Sequence, residues 1–295
     1  LNDIIYILIL TLICDILQIV YFKVGAQKSG AHIHIRETDV HLIKTILKYS
    51  LPMAGYILLN SLMRDLDKLT ISWFMSTEEV AIYTNMSKVL PFDLFSTSMY
   101  TVLLPFVTLA ITGNHREEAQ YIYRQYLNIS LITMTIFIVG AMIFSEELVL
   151  TLYGDQYLSG LKIFIIYLAV DLIRFANVSL VLSAAGRTKT LLLYSIFSLA
   201  ANFILNIALY YALGIVGPAA ATVIVMLIGN AILMHQSSKV IGKSMFTLFD
   251  FKRLLPIVME LIVFGLLFGG LNVFLESRNF YYLLRLVIGY GGFLI

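Results

Sequence analysis

Long apolar runs separated by short polar segments dominate the sequence. About nine of these runs reach or approach the roughly 20 residues that a helix needs to cross a bilayer. They lie at residues 1–22, 50–74, 80–111, 121–144, 159–184, 188–212, 215–236, 254–275 and 280–295. The runs lack the period-two alternation of membrane β-barrel strands. The pattern therefore predicts an all-α, polytopic membrane protein.

The longest polar segment, residues 23–49, ends in an amphipathic stretch. Apolar positions 40, 43, 46 and 47 share one helical face, whereas Lys44 and Lys48 lie off it. This pattern predicts a short helix in the cytoplasmic interface of the membrane. We expect that helix to end before Pro52, because proline interrupts the helical hydrogen-bond ladder.

These elements divide the chain into four parts. We expect residues 1–22 to be the last helix of an N-terminal half and residues 23–49 to be a cytoplasmic linker with the interfacial helix. Residues 50–236 are predicted to form a six-helix bundle, and two additional helices follow in residues 237–295. Since the chain begins with Leu1 and both ends lie inside apolar runs, we expect it to be part of a longer membrane protein.

Composition and charge exclude several classes of protein. Hydrophobic residues make up 60% of the chain and charged residues 13%, whereas soluble domains carry about 25% charged residues. The net charge of +2 argues against a nucleic-acid partner, which requires a basic face. If the segment after the first run is cytoplasmic, the cytoplasmic segments hold thirteen of the twenty basic residues and the opposite side holds three. This distribution obeys the positive-inside rule and supports the nine predicted spans.

The four remaining basic residues lie inside predicted spans, where charges are costly and usually face a cavity or a partner. They are Arg64, Lys68, Lys88 and Arg174. At ~1.5 Å per residue, the three spans that carry them place them at a similar depth, slightly outside the midplane. Asp67 and Asp171 lie among them. We infer a water-filled cavity of mixed charge that leans cationic and suits an anionic ligand, although ion pairs that only lock helices together remain an alternative.

The sequence predicts no metal site and no cofactor. Asp65 and Asp67 are two apart on a helix and diverge by ~160°, so they do not converge on a metal. His32, His34 and His41 have no accompanying cysteine or carboxylate at metal-ligand spacing. No nucleophile–base pair and no phosphate-binding glycine loop is present in the sequence.

Several short motifs occur in a specific order along almost the whole chain. They include Leu51-Pro52, Asp67-Lys68, Glu79-Val80-Ala81-Ile82-Tyr83 and Gly214-Ile215-Val216-Gly217-Pro218. Together they resemble the polysaccharide flippases of the multidrug/oligosaccharidyl-lipid/polysaccharide exporter superfamily. The resemblance implies that the nine spans correspond to helices six to fourteen of a 14-helix transporter. It also implies the cytoplasmic membrane of a bacterium or archaeon as the location.

The resemblance implies a function and roles for the charged residues. Such flippases move lipid-linked, undecaprenyl-type oligosaccharides to the outer leaflet by alternating access, within a bilayer whose lipids surround them. The four intramembrane cations would then receive the pyrophosphate or acidic sugars. Asp67 and Asp171 would orient those cations, and Tyr83 would stack on sugar rings. The resemblance leaves the coupling ion open between H⁺ and Na⁺.

Three other functions remain as alternatives. A cation-coupled drug extruder of the same superfamily would favour acidic residues in its cavity, and the deep cations here argue against it. A membrane-embedded sugar or acyl transferase would need a catalytic histidine or carboxylate in a sizeable loop. A scaffold for envelope assembly would have a cavity occluded by side chains.

Overall fold

The three-dimensional structure is a computed structural model that describes residues 2–28, 39–88, 90–91, 93–278 and 280–294. Within these ranges all regular structure is helical, and no β-strand occurs. The same ranges contain six helical segments that are long and apolar enough to cross a membrane. One of them, Thr188–Ile241, consists of two helices joined by a 3₁₀ turn. The prediction of an all-helical fold with several helices able to cross a membrane is therefore confirmed.

The helices are numbered in chain order. They are α1 (Asn2–Lys28), α2 (Val40–Ile71), α3 (Thr77–Met86), α4 (Asp93–Thr112), α5 (Arg116–Ile143), α6 (Ser145–Leu152), α7 (Leu161–Ile173), α8 (Leu180–Ala184), α9 (Thr188–Leu213), α10 (Gly217–Ile241), α11 (Phe251–Ser277), α12 (Tyr282–Arg285) and α13 (Gly291–Phe293). Short 3₁₀ turns occupy Asp155–Gly160, Gly214–Val216 and Met245–Leu248, and a π-helical turn occupies Leu286–Tyr290.

The chain divides into two compact units, Leu1–Lys48 and Tyr49–Ile295. In the first unit, α1 carries apolar side chains that are largely exposed, such as Leu10, Leu17 and Ile19. Exposed apolar side chains along a helix of this length suit contact with lipid. Residues 29–38, which include His32 and His34 and much of the predicted linker, lie outside the described residues.

In the second unit, the core lies among α3, α5, α7, α8 and α10. Its largest fully buried side chains include Tyr83, Tyr123, Tyr126 and Phe164. Helices α9 and α10 pack against each other as a helical hairpin with its turn at Gly214–Val216. Helix α7 packs on both α5 and α10. Because three of the four largest buried residues named are tyrosines, their hydroxyls must find polar partners inside the core.

Two of the predicted spans are wrong as single helices. The predicted span 80–111 is split into α3, which ends at Met86, and α4, which begins at Asp93. The predicted span 159–184 is split into α7 and α8, with a break at residues 174–179. Helix interruptions of this kind are tolerated at membrane depth only where other groups satisfy the freed backbone.

The predicted helix end before Pro52 is also wrong. Helix α2 runs from Val40 through Pro52 to Ile71 without interruption. Proline removes one backbone donor and bends a helix, but membrane helices accommodate it more readily than soluble ones. The interfacial position of residues 40–48 and the four-part division of the chain remain predictions.

Helix α3 begins at a well-defined cap, just outside the predicted spans. The Ser76 hydroxyl accepts a hydrogen bond from the Glu79 amide (3.3 Å), and the Glu79 carboxylate accepts one from the Ser76 amide (3.0 Å). This reciprocal pair satisfies two amides that the first turn leaves free. The hydrogen bonds from Ser76 lower the pKa of Glu79, since they stabilise its ionised form.

Candidate functional site

The break between α7 and α8 exposes backbone groups inside the bundle, and side chains from two other helices bind them. Asn230 of α10 donates to the Ile173 carbonyl (2.7 Å). Tyr123 of α5 donates to the Val178 carbonyl (2.8 Å). The Tyr126 hydroxyl accepts a hydrogen bond from the Asn177 amide (2.7 Å). Hydrogen bonds from α5 and α10 therefore stabilise the interruption, and it is a defined feature of the fold.

The break between α3 and α4 adjoins the first one. The Leu90 amide donates to Asp171 Oδ2 (3.3 Å), and Asp171 is buried near the end of α7. Tyr126, which binds the first break, also reaches the beginning of α4, where its hydroxyl lies 3.1 Å from the Ser96 hydroxyl. Two interrupted helices thus meet at one place, with Tyr126 in contact with both.

A polar cavity of about 270 Å³ opens at this place. Its walls come from α2, from the beginning of α4, from the α7–α8 break and from α9 and α10. Amide side chains contribute to three of these walls through Asn60, Asn177 and Asn230. This volume lies just below the ~300–1,000 Å³ of typical ligand pockets. In this conformation the cavity has room for a phosphate or a single sugar, and not for a whole oligosaccharide.

Two of the four predicted substrate-binding cations line this cavity. Arg64 lies in α2, and Arg174 follows the last residue of α7. Arg64 is exposed and Arg174 is half-buried. Guanidinium groups offer five donors in a planar fork that matches carboxylate and phosphate oxygens. Arg64 and Arg174 are 110 positions apart in the sequence, so only the fold brings them together.

The other two predicted cations do not line the cavity. Lys68 forms a salt bridge with Asp65 (2.8 Å), one turn back along α2. The exposed Lys88 donates a hydrogen bond from Nζ to Asn85 Oδ1 (2.7 Å). Both ammonium groups therefore have local partners outside the lining of the polar cavity.

Asp67 and Tyr83 form a buried pair instead of a ligand-facing surface. Tyr83 donates to Asp67 Oδ2 (3.2 Å), and its hydroxyl lies 3.2 Å from that of Tyr167 in α7. Asp67 also accepts a hydrogen bond from the Lys68 amide (2.9 Å). Tyr83 is fully buried, so in this conformation its ring has no face open for stacking on a sugar. The pair joins α2, α3 and α7.

Sequence reasoning missed several residues of the site. Tyr123, Tyr126 and Asn230 hold the α7–α8 break, and Asn177 lies in it. The sequence offers one local signal, the polar triplet Asn177-Val178-Ser179 inside an apolar run, because polar residues at membrane depth need partners. Nothing local in the sequence connects that triplet to tyrosines about fifty positions earlier.

The described residues contain no group of three or more histidine, cysteine, aspartate and glutamate side chains close enough to hold a metal ion. The cavity offers instead two guanidinium groups, three amide side chains and the hydroxyls of nearby tyrosine, serine and threonine residues. Such groups bind anions and hydroxyl-rich ligands through hydrogen bonds.

The fold and this cavity define a multi-pass helical membrane protein with an arginine-lined polar cavity between its helices. The chain belongs to the family described as polysaccharide biosynthesis protein, whose pattern matches residues 6–162, just over half of its length. The family resemblance found in the sequence is thereby confirmed. The matched range includes Arg64, whereas Arg174 and Asn230 lie beyond it.

The chain is also similar to the probable low-salt glycan biosynthesis flippase Agl15 of Haloferax volcanii. The two are 22% identical over 208 residues, which cover 69% of this chain and 43% of the relative. The chain thus spans less than half of the length of that curated relative. No solved structure matches the chain.

Proposed function

We propose that this chain forms part of a flippase that moves lipid-linked oligosaccharides across the cytoplasmic membrane of a bacterium or archaeon. The family and the named activity of the haloarchaeal relative support this proposal. The nine spans would correspond to helices six to fourteen of a 14-helix transporter. The observation that carries the proposal is the meeting of Arg64 and Arg174 at a polar cavity between interrupted helices.

The charge of the cavity favours a lipid-linked diphosphate as the transported group. Two guanidinium groups and no carboxylate line the cavity among the described residues. A diphosphate presents oxygens that two arginines can bind at once. Interrupted helices around a central site are a common feature of transporters that work by alternating access. An extruder of cationic drugs would gain nothing from this arrangement.

Asp67 and Asp171 are proposed as supporting residues that act through the packing of the interrupted helices. Asp171 binds the Leu90 amide, and Asp67 binds Tyr83. Lys68 and Lys88 are also proposed to contact the substrate. We expect them to contribute less than the two arginines, because neither lysine lines the cavity. The same proposal includes coupling of transport to H⁺ or Na⁺. It also includes that the protein is a transporter and not an enzyme.

Translocation in proteoliposomes tests the proposal. The full-length protein is reconstituted with a fluorescent lipid-diphosphate oligosaccharide, and protection of the fluorophore from an external reductant is measured. We expect Arg64→Gln and Arg174→Gln each to reduce the rate about 10- to 100-fold, the effect of losing a charge-assisted hydrogen bond. Lys88→Gln should have a smaller effect.

The exposed Arg278 provides a matched control, since it lies at the end of α11 and contacts Phe274. Arg278→Gln should leave the translocation rate unchanged. Equal translocation rates for the Arg64, Arg174, Lys88 and Arg278 variants would contradict a role of the polar cavity in transport. Efflux of a cationic dye without translocation of the lipid would favour the drug-extruder alternative.

A further inference from the structure

A pair of tyrosines lies on the connection between α6 and α7. Tyr153 follows the last residue of α6, and Tyr157 lies in the 3₁₀ turn Asp155–Gly160. Their ring centroids are 5.9 Å apart, and the ring planes are tilted by 56°. Gly154 lies between them with a φ of 93°, a conformation that favours glycine and turns the chain sharply. Both rings are half-buried, so each keeps an accessible part.

The 3₁₀ turn is fixed against α3. A Cβ at Gly160 would come within 2.5 Å of the Met86 side chain, so glycine allows the turn to approach α3 closely. The Asn85 side-chain amide donates to the Tyr157 hydroxyl (3.3 Å). Lys88 Nζ in turn donates to Asn85 Oδ1 (2.7 Å). An ammonium, an amide and a phenol hydroxyl therefore form one chain of hydrogen bonds beside the tyrosine rings.

A second pair of tyrosines comes from the beginning of α12. Tyr281 precedes α12 and Tyr282 is its first residue, and their ring centroids are 4.4 Å apart. Tyr281 is 60% exposed. Helix α12 packs on α6, and the exposed Asp155 carboxylate acts electrostatically on Tyr282. The four tyrosines 153, 157, 281 and 282 are together called the aromatic surface.

The aromatic surface lies at one end of the bundle. Helix α4 leads away from this end to the turn at 113–115, and α5 returns to it before α6 begins. The distribution of basic residues predicts that this end faces away from the cytoplasm. The four tyrosines do not belong to the lining of the polar cavity. The aromatic surface is therefore a feature separate from the arginine-lined cavity.

We propose that the aromatic surface binds the saccharide portion of the lipid-linked glycan on the side of the membrane to which the glycan is moved. This inference rests on the proposed flippase function. The polar cavity has room for a phosphate or a single sugar, so a longer glycan must contact other parts of the protein.

The chemistry of the aromatic surface fits a saccharide. A sugar ring presents C–H groups on its faces, which pack on aromatic rings, and hydroxyls at its edge, which donate and accept hydrogen bonds. The tyrosine rings offer the apolar contact. Lys88 supplies donors and Asp155 supplies acceptors, and both side chains are exposed.

These polar groups distinguish the aromatic surface from a simple interfacial anchor. Tyrosine is common at membrane interfaces, where its ring lies at the level of the headgroups. An anchor of that kind requires no amide or charged side chain at the ring. Here Asn85 binds the Tyr157 hydroxyl and Asp155 acts on Tyr282, so each tyrosine pair has a hydrogen-bonding group beside it.

Binding of a free oligosaccharide to the full-length protein in lipid nanodiscs tests this assignment. The probe is the oligosaccharide that mild acid releases from the lipid-linked pool of the cells, which carries neither diphosphate nor lipid. Isothermal titration calorimetry measures its dissociation constant. We expect saturable binding that an excess of inorganic diphosphate does not displace. Tyr157→Ala should weaken this binding about tenfold, because it removes one ring of the aromatic surface.

Two further variants make the test specific. Tyr157→Phe keeps the ring and should retain most of the affinity, which separates packing on the sugar from the hydrogen bond with Asn85. Tyr211 is 75% exposed and lies near the end of α9, at the same end of the bundle but outside the aromatic surface. Tyr211→Ala should therefore leave the affinity unchanged. Tyr281→Ala replaces Tyr157→Ala if that variant is not monodisperse.

The outcomes separate this inference from the proposed function. No saturable binding to the unsubstituted protein would overturn the inference, and so would equal affinities of the Tyr157→Ala, Tyr281→Ala and Tyr211→Ala variants. Displacement by inorganic diphosphate would also overturn it, because the sugar would then occupy the arginine-lined cavity. Arginine-dependent translocation, measured with the same proteins in liposomes, would in each case leave the flippase function standing. Tyrosine-dependent binding without translocation would support the saccharide site and contradict the flippase function.

Discussion

At the scale of single residues, the most unexpected feature is a buried carboxylate whose neighbours are hydroxyls. Asp67 is 1% exposed, and Tyr83 and Tyr167 connect it to α3 and α7. The nearby ammonium of Lys68 binds Asp65 instead. A buried carboxylate without its hydrogen bonds is costly. The three side chains therefore depend on each other, and they stabilise the contact of α2 with α3 and α7.

We predict that Tyr83→Phe destabilises the fold through the loss of a hydrogen bond and not through a change in packing volume. The substitution removes the donor to Asp67 Oδ2, and leaving a buried acceptor unsatisfied costs about 1–3 kcal/mol. Thermal unfolding in detergent, followed by intrinsic fluorescence, should show a lower midpoint. Tyr211→Phe is the matched control, because Tyr211 is 75% exposed. Equal midpoints for both variants would show that the Asp67–Tyr83 hydrogen bond contributes nothing.

The sequence predicted charged residues for the site, but it could not predict how they pair. Arg64 and Arg174 were predicted as cavity residues, and both line the cavity; their role in binding stays a proposal. Residues three apart on a helix, such as Arg64 and Asp67, lie on one face, but rotamers and neighbouring helices decide whether they pair. The partner of Asp67 comes from Tyr83, sixteen positions away. Spacing along one helix carries no information about a neighbour from another helix.

At the scale of elements, the sequence predicted apolar segments well and their interruptions poorly. Hydropathy averages over about 19 residues, so a break of six residues inside an apolar run leaves little signal. Pro91 lies in the break between α3 and α4, whereas no proline lies in the break at 174–179. Conversely, α2 continues through Pro52. The positions of these breaks depend on partners such as Tyr126, which are distant in sequence.

We predict that Tyr126→Phe loosens the α7–α8 break. The Tyr126 hydroxyl accepts a hydrogen bond from the Asn177 amide. Because Asn177 is exposed at the polar cavity, we expect only the net loss of one hydrogen bond, about 0.5–1.5 kcal/mol, or about 2- to 10-fold in the opening equilibrium. Hydrogen–deuterium exchange should therefore accelerate by such a factor in the peptide that contains Asn177.

Tyr123→Phe is the matched control for that experiment. Tyr123 donates to the Val178 carbonyl, and the Ser237 hydroxyl lies 3.4 Å from the same oxygen. The variant therefore removes no acceptor of an amide proton, and Asn177 exchange should change little. The interpretation fails if both variants accelerate exchange equally, because the hydroxyl of Tyr126 would then have no specific effect on the Asn177 amide.

At the scale of the whole second unit, the last helices are attached through α5 and α6. Tyr290 donates to the Phe137 carbonyl of α5 (3.2 Å), and a Cβ at Gly140 would come within 2.6 Å of the Tyr290 ring. Arg285 of α12 forms a buried salt bridge with Glu147 of α6 (3.1 Å). The sequence predicted Glu147 between two spans and Arg285 inside the span 280–295, and it could not show that they meet.

The Arg285–Glu147 pair provides a prediction about how the C-terminal helices stay attached. The Glu147 and Arg285 side chains are only 2% and 10% exposed, and Asn272 of α11 also binds Glu147 (3.1 Å). Removing one partner of a buried ion pair costs up to about 3–5 kcal/mol, and the exposed Glu276 carboxylate, 3.6 Å from Arg285, compensates part of this cost. We therefore expect Glu147→Gln to lower the unfolding midpoint strongly and to expose α11 and α12 to protease.

The neighbouring Glu146 makes the test specific. It lies in the same first turn of α6 but is exposed, so Glu146→Gln has a similar effect on the helix dipole and removes no buried partner. Its midpoint should stay close to that of the unsubstituted protein. The double variant Glu147→Leu with Arg285→Leu should regain much of the lost stability, because it leaves neither charge buried alone. If the double variant is as unstable as the sum of the single variants, the two side chains act independently, and other contacts, such as those of Tyr290 with α5, attach the last helices.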